Sequence, residues 1–471
     1  MKPDTTPLKS GLVNFPGATP ESTALVAELL HTNFTAYHCF HNDQQFSNHL
    51  SHHILTLHDL GASAECIREM FAQEAAKQRD LFPNGTPTDE ASDINESNWI
   101  KSLGKENSHK YPHYLSFFLT EIKKDGVSGV LERYLFSPEA NANGTLMLTR
   151  FVGRLFHPMI DAGFGVEFGQ DFIVAQGLAQ AALTEPDGVS ILDDGAGLPK
   201  IQSGSPTTLL SLLREVYESP KLAPMPYETE SSRRSDSSNG WSRTPSAERR
   251  SARSTQSGRA EEDIMKKVEE CMWQATLLLG ATSKPGRKPR MDFFFMHLLT
   301  SSLFLRGIVD AIQAPIHKAQ LLQAYARTAA LYIILRGRPR IDPALVMSYP
   351  ASPAAILAPT AILGTVGYGS PWLPLLNNAA MHTEPHVVKA IRMLFYCAQQ
   401  YGGTPAEAVI GAVDGEGKEI HKGAAKLDGT LFIRVAGKLT DAVGWVANGE
   451  KERFWDFGGI GWEEAWARAD E

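Results

Sequence analysis

Cysteine is scarce in this 471-residue chain, with four in all at Cys39, Cys66, Cys271 and Cys397. They are widely separated and form no C-x-x-C pair, which excludes a zinc ribbon and a disulfide framework and leads us to expect reduced thiols in a cytoplasmic protein. Long apolar runs are missing as well. No stretch of about 18 apolar residues reads as a membrane span, and the first thirty residues lack the basic start and apolar core of a secretory leader. Positive charge is in short supply: 45 Lys and Arg stand against 53 Asp and Glu, for a formal net charge of -8. The basic residues are dispersed or sit in one Ser/Arg stretch, so nucleic acid is a poor partner and small molecules are the better one. Strand-like alternation is nearly absent. No Gly-x-Gly-x-x-Gly opens a βαβ unit, since the glycines of Gly163-Phe-Gly-Val-Glu-Phe-Gly169 have other spacing and follow no strand; a tightly bound flavin is therefore not expected.

What the chain does have is hydrophobic content of 43%, enough for one large core or two moderate ones. Apolar residues recur at helical spacing over 22–31, 63–80, 111–124, 127–135, 171–183, 206–217, 261–279, 292–312, 318–336 and 385–401, several with Ser, Thr or Asp near the start. Only 429–435 and 408–413 look extended, and the first could equally begin a helix. From Tyr227 to Arg259 the chain holds ten Ser and seven Arg with almost no aliphatic side chain, a composition that cannot offset the entropy of ordering. The expectation is an all-α fold: an N-terminal helical block over 1–226, a disordered Ser/Arg-rich insertion over 227–260, and a C-terminal block over 261–471 that packs on the first to form one large helical domain.

Histidine is concentrated in Asn48-His49-Leu50-Ser51-His52-His53. At about 100° per residue His49, His52 and His53 share one helical face, which suits either local packing or convergence on a transition metal. His58 faces the other way. Four more positions have suitable chemistry. His157 precedes Pro158, which favours an extended residue and a helix boundary there. His297 lies in the most apolar helix, where a lone histidine is usually a satisfied core residue. His386 and Lys389 stand at i and i+3, after Pro385 in a first turn and Thr383 as a cap; His382 precedes that cap and ranks below His386. An ammonium would repel a cation beside it, so Lys389 either pairs with a carboxylate such as Glu384, is held neutral by burial, or becomes a carbamate. His41-Asn-Asp43 and His382-Thr-Glu384 also have His-x-acid spacing. Arg154, Arg336 and Arg338 offer anion contacts, and Phe156, Phe294, Tyr325 and Tyr332 offer flat walls, although ion pairing and core packing explain them equally well.

Taken together these segments resemble the fungal questin oxidase-like family, the Baeyer-Villiger oxidases of aromatic polyketide pathways. The likeness runs through Phe40-His41-Asn42, the 48–53 histidine stretch, Gly61-Ala62-Ser63, Gly153-Arg-Leu-Phe-His157-Pro and Gly177-Leu-Ala-Gln-Ala181. It continues through Asp292-Phe-Phe-Phe-Met-His297, Ala324-Tyr-Ala-Arg327, Arg336-Gly-Arg-Pro-Arg-Ile341, His386-Val-Val-Lys389-Ala and Gly461-Trp-Glu-Glu-Ala-Trp466. It omits the first 20 residues and the Ser/Arg insertion. The resemblance implies oxygen-dependent opening of a quinone ring in an anthraquinone-type polyketide. It implies one of two chemistries: non-haem iron (Fe2+) held by histidines and a carbamylated lysine, or a metal-free reaction on a reduced hydroquinone with NADPH or a partner reductase. It also implies a buried histidine-rich cavity whose metal shell draws on His49, His53, His157, His297, His386 and Lys389. His52, His157 and Lys389 are then the catalytic candidates, with Glu384 as the reserve anion. A metal-free enzyme would need only one or two histidines as bases, so the number collected favours iron. A family member that merely binds polyketides stays open as a third reading.

Overall fold

The computed structural model describes residues 6–82, 94–186, 207–224, 226–227, 260–353 and 369–467. Among these residues the chain is all-α, as expected, with no strand and only isolated bridges such as Tyr37 with Asp80 and Val413 with Glu419. The Ser/Arg-rich insertion expected over 227–260 lies, but for its end residues, outside the described residues.

The chain divides into two compact units, Met1–Asp193 with Phe304–Tyr325 and Asp194–Leu303 with Ala326–Glu471. The first is built on α1 (Pro20–Ala36), α2 (Leu50–Asp59), α3 (Ala64–Ala75), α4 (Tyr111–Leu131), α5 (His157–Phe168) and α6 (Asp171–Leu183). Thr19 and Ser22 form a reciprocal capping box at the start of α1, satisfying donors that the first turn leaves open. Every residue of α2 is buried, so its histidines are core residues. The segments read as separate helices over 111–124 and 127–135 are indeed two helical stretches that meet at a kink at Gly126 (φ 72°), together spanning α4. Gly177 lets α5 and α6 approach: a Cβ there would stand 2.5 Å from the Pro158 carbonyl oxygen and 2.6 Å from the Ala162 nitrogen.

The second unit contains α7 (Leu209–Glu218), α8 (Ala260–Gly280), α11 (Trp372–Met381), α12 (Pro385–Tyr401) and α13 (Leu431–Val443). The long helices α9 (Phe293–Ala311) and α10 (Pro315–Leu335) fall across the division at Phe304 and Ala326. The segment over 429–435 is the start of α13, not a strand. Its β-branched residues are overridden by burial of Leu431, Phe432, Val435, Ala436, Leu439 and Val443, which recur on one helical face. Residues 408–413 form turns that end in the Val413 bridge. Despite the absence of a continuous apolar run, α9 is long and apolar enough by composition to cross a membrane, yet 72% of that window is buried inside the protein, as in a core helix.

Candidate metal centre

In the first unit, the 38–48 loop delivers His49. Asn48 pins it, donating its amide to the His38 carbonyl (3.1 Å) and to Asn33 Oδ1 (2.8 Å). His49 therefore occupies the cap position of α2 (φ -106°, ψ 4°), just ahead of the helix that the sequence pattern placed it in. His157 opens α5. The expected boundary is there, but His157 is itself right-handed helical (φ -56°, ψ -43°), not extended. The boundary is made instead by Arg154, Leu155 and Phe156, all left-handed with φ of 48°, 58° and 62°. A left-handed backbone costs a non-glycine residue roughly 1–2 kcal/mol, so the surroundings must hold this turn. Arg154 does so by donating to the carbonyls of Gln44 (2.9 Å) and Gln45 (2.6 Å), while the Phe156 ring packs 5.2 Å from Tyr325. The turn aims the Arg154 carbonyl at His157 Nδ1, 2.6 Å away. A carbonyl only accepts, so Nδ1 carries the proton and the lone pair sits on Nε2. That Nε2 is 3.1 Å from His49 Nε2.

In the second unit, His297 Nδ1 donates to the Phe293 carbonyl one turn earlier, at 2.8 Å. Asp292 caps α9: its Oδ1 accepts from the backbone of Phe294 (2.9 Å) and Phe295 (3.3 Å), and its Oδ2 accepts from Arg336 Nε (2.7 Å). Burial raises the Asp292 carboxyl above its ordinary range, against the pull of the Arg336 guanidinium. His386 lies in the first turn of α12, where Glu384, not Thr383, is the cap. Thr383 is engaged elsewhere, donating to Glu452 at 2.8 Å. Glu384 Oε1 accepts from His386 Nδ1 (2.5 Å) and from its backbone N–H (3.3 Å), while Oε2 accepts from the Trp455 indole (2.5 Å). Desolvation pushes the Glu384 carboxyl up; the Trp455 and His386 hydrogen bonds and the Lys389 charge oppose it. Lys389 is buried one turn beyond His386, and the His297 and His386 rings lie 4.6 Å apart.

One ring nitrogen from each of His49, His157, His297 and His386 falls in a group whose members all lie within 4.8 Å of one another, and all four residues are buried. Four imidazoles this close could bind a metal. The donor set fits one: His157, His297 and His386 each commit Nδ1–H to a fixed acceptor, which presents Nε2 as the ligand and orients the ring. The spacing of the His49 and His157 nitrogens also fits, since two nitrogens about 2.1 Å from one ion and at right angles stand about 3.0 Å apart.

The remaining candidates sort around this group. His52 lies beside it: its Nε2 is 2.8 Å from Asp161 Oδ1, its ring stacks on Phe164 at 5.0 Å, and it meets His49 edge-on at 5.5 Å. His53 is buried on α2 outside the group of four. His58 bonds Thr23 (3.1 Å), His382 approaches the Val443 carbonyl (3.4 Å), and Asp43 of the His41-Asn-Asp43 triplet faces solvent against Arg79. Arg336 is committed to Asp292, and Arg338 to the carbonyls of Val216 and Ser219. Asp161, Asp292 and Trp455 escaped the sequence reading as site residues. Asp161 sits at i+4 from His157, a spacing that could have flagged it; Trp455 has no local signal.

A family model described as questin oxidase-like matches residues 46–394, a span that includes all four histidines. A Baeyer-Villiger oxidase of Paecilomyces divaricatus is 27% identical over 348 residues, covering 73% of this chain and 74% of its own. A questin oxidase of Aspergillus terreus is 28% identical over 378 residues, 78% of each chain. A questin oxidase of Aspergillus fumigatus is 26% identical over 463 residues, 93% of this chain and 92% of its own.

Proposed function

This chain belongs to the questin oxidase-like family and is an oxidoreductase of the oxygenase type, and from that premise we propose that it opens the quinone ring of an anthraquinone-type aromatic polyketide with molecular oxygen. In this reading His49, His157, His297 and His386 hold ferrous iron, and Lys389 supplies an anionic oxygen ligand as its carbamate. When bound, the iron supplies the single-electron steps that triplet oxygen needs to react with a closed-shell aromatic. The observation that carries the reading is the group of four buried histidine nitrogens within 4.8 Å.

The chain's own residues do the positioning. The Arg154 and Phe293 carbonyls and the Glu384 carboxylate fix three rings as Nε2 ligands, so no reorganisation is needed when the cation arrives. Lys389, buried on the His386 side of α12, would be repelled as an ammonium. As a neutral amine its nitrogen attacks carbon dioxide and releases one proton, which replaces a positive group with a carboxylate-like one. His52, with Nε2 bonded to Asp161, presents Nδ1 as the acceptor for a phenolic proton of the substrate.

The test is metal analysis of protein purified without oxygen, followed by oxygen uptake with a hydroxyanthraquinone. Iron should copurify or rebind, and His157→Ala should lose both the iron and the uptake. Uptake that persists without metal and demands reduced nicotinamide would replace this reading with the metal-free Baeyer-Villiger route. No uptake under either condition would point to a polyketide-binding protein.

A further inference from the structure

One of the groups that set His386 comes from far along the chain. Trp455, 71 residues beyond Glu384, lies outside the span matched by the family model. It belongs to a segment, 451–467, that is secured along the stretch leading into α9. Asp456 N–H donates to the Met291 carbonyl (2.7 Å), Phe293 N–H donates to the Asp456 carbonyl (3.0 Å), and Arg290 Nε donates to Asp456 Oδ2 (2.7 Å). Further on, Gly461 N–H donates to the Arg336 carbonyl (3.0 Å), Arg290 to that of Ala465 (2.7 Å) and Arg287 to that of Trp466 (2.6 Å), with the Trp466 ring under the Arg290 guanidinium at 4.8 Å. The segment reaches the histidines by two routes. The Trp455 indole bonds Glu384, whose other oxygen holds His386. The Phe457 ring lies 4.5 Å from Phe293, which is edge-on to both His297 (4.5 Å) and His386 (5.2 Å).

We propose that Trp455 is a positioning residue for His386, and that segment 451–467 is the brace that delivers its indole. A carboxylate accepting on both oxygens cannot rotate without breaking a bond to one of them. With the indole N–H on Oε2, Oε1 stays aimed at His386 Nδ1 and the ring stays turned so that Nε2 is its ligand atom. Remove that donor and Glu384 can turn about Oε1, a motion that the two His386 bonds to that one oxygen do not prevent. Trp466 serves as the internal comparison: its indole N–H, on the same segment, donates to the Ile460 carbonyl at 2.8 Å and has no bond to Glu384.

The metal consequence rests on the proposed iron centre, but the ring orientation does not, so two readouts separate them. The first is the side-chain ¹⁵N signal of His386 in metal-free protein, assigned with His386→Gln. The second is affinity for Fe(II), with Co(II) as the spectroscopic probe. Trp455→Phe should shift or broaden the His386 signals and weaken the metal about 10-fold, Trp455→His should retain a ring N–H and recover much of the loss, and Trp466→Phe should leave both readouts unchanged. If the His386 signals stay as in wild type in Trp455→Phe, or move equally in Trp466→Phe, the positioning role is overturned. A wild-type protein that binds neither ion overturns the iron centre alone, because the His386 signals still decide the role of Trp455.

Discussion

His49 and His157 are set by loop backbone, whereas His297 and His386 are set by helical turns and the carboxylates that cap them. In the first pair a pinned loop and three consecutive left-handed residues place the rings, and His157 Nδ1 is tied to the Arg154 carbonyl. In the second, Asp292 caps the helix that carries His297 and Glu384 holds His386 directly. The difference is one of sensitivity. Backbone placement is stiff but stores strain, while a carboxylate transmits any change of charge or partner to the ring it holds.

The strongest way to break the second arrangement is at Asp292. Asp292→Asn leaves Arg336 buried without its close counter-charge, Asp456 being 3.8 Å away, and weakens the cap of α9. Removing one partner of such a pair costs about 3–5 kcal/mol, read from denaturant unfolding. A loss under about 1 kcal/mol would mean that Asp456 takes over and that the second pair is not held by this carboxylate.

Acid is the corresponding lever on the first arrangement. Buried His38 starts the loop that leads to His49: Nδ1 accepts from Phe40 N–H (3.0 Å) and from Arg79 (3.2 Å), and Nε2 donates to the Ser108 carbonyl (3.0 Å). Burial first, and the Arg79 charge second, lower its pKa to about 4 from 6.5. Between those values the unfolded chain binds more protons than the folded one. The stability is therefore fully present above about pH 6.5 and is lost as pH falls toward about 4, by at most about 3 kcal/mol. Unfolding measured across that range should show the slope in wild type and a flatter one in His38→Gln; equal slopes would remove His38 as its source.

A smaller effect is expected at Arg154, which holds the left-handed turn through two carbonyls. Arg154→Ala should cost about 2 kcal/mol and weaken metal binding through His157. Unchanged metal affinity would show that the turn keeps its shape without the clamp.

The same contrast explains what the sequence discloses. The all-α fold is legible because apolar residues at helical spacing run through nearly every described element, down to the break at Gly126. His386 and Lys389 are legible because Pro385 marks a first turn and i, i+3 spacing gives a face. The capping role of Glu384 is harder to see, since Thr383 is the better cap by type. The first pair hides its logic: Arg154-Leu-Phe156 has no glycine to announce three left-handed residues, so Pro158 suggests the boundary but the wrong conformation. His49 is read one step too far into its helix because the hydrophobic period does not mark a cap. Trp455 is invisible because its bond spans 71 residues.

The smallest expected effect sharpens the comparison most. If backbone alone sets His49, then the ring beside it, His52, should be able to lose its stacking partner without consequence for the metal. Phe164 stacks on His52 at 5.0 Å with rings inclined by 17°, and also packs against Phe304 at 4.6 Å. Phe164→Leu removes the aromatic face but keeps an apolar side chain of similar reach, so the stability loss should be about 1 kcal/mol. Asp161 still bonds His52 at 2.8 Å, and the His157 Nδ1 bond to the Arg154 carbonyl is untouched. Metal affinity should accordingly stay within about threefold of wild type, a change of under 1 kcal/mol. A tenfold fall would show that stacking on His52 also orients His49, and that the first pair is no more a purely backbone construction than the second.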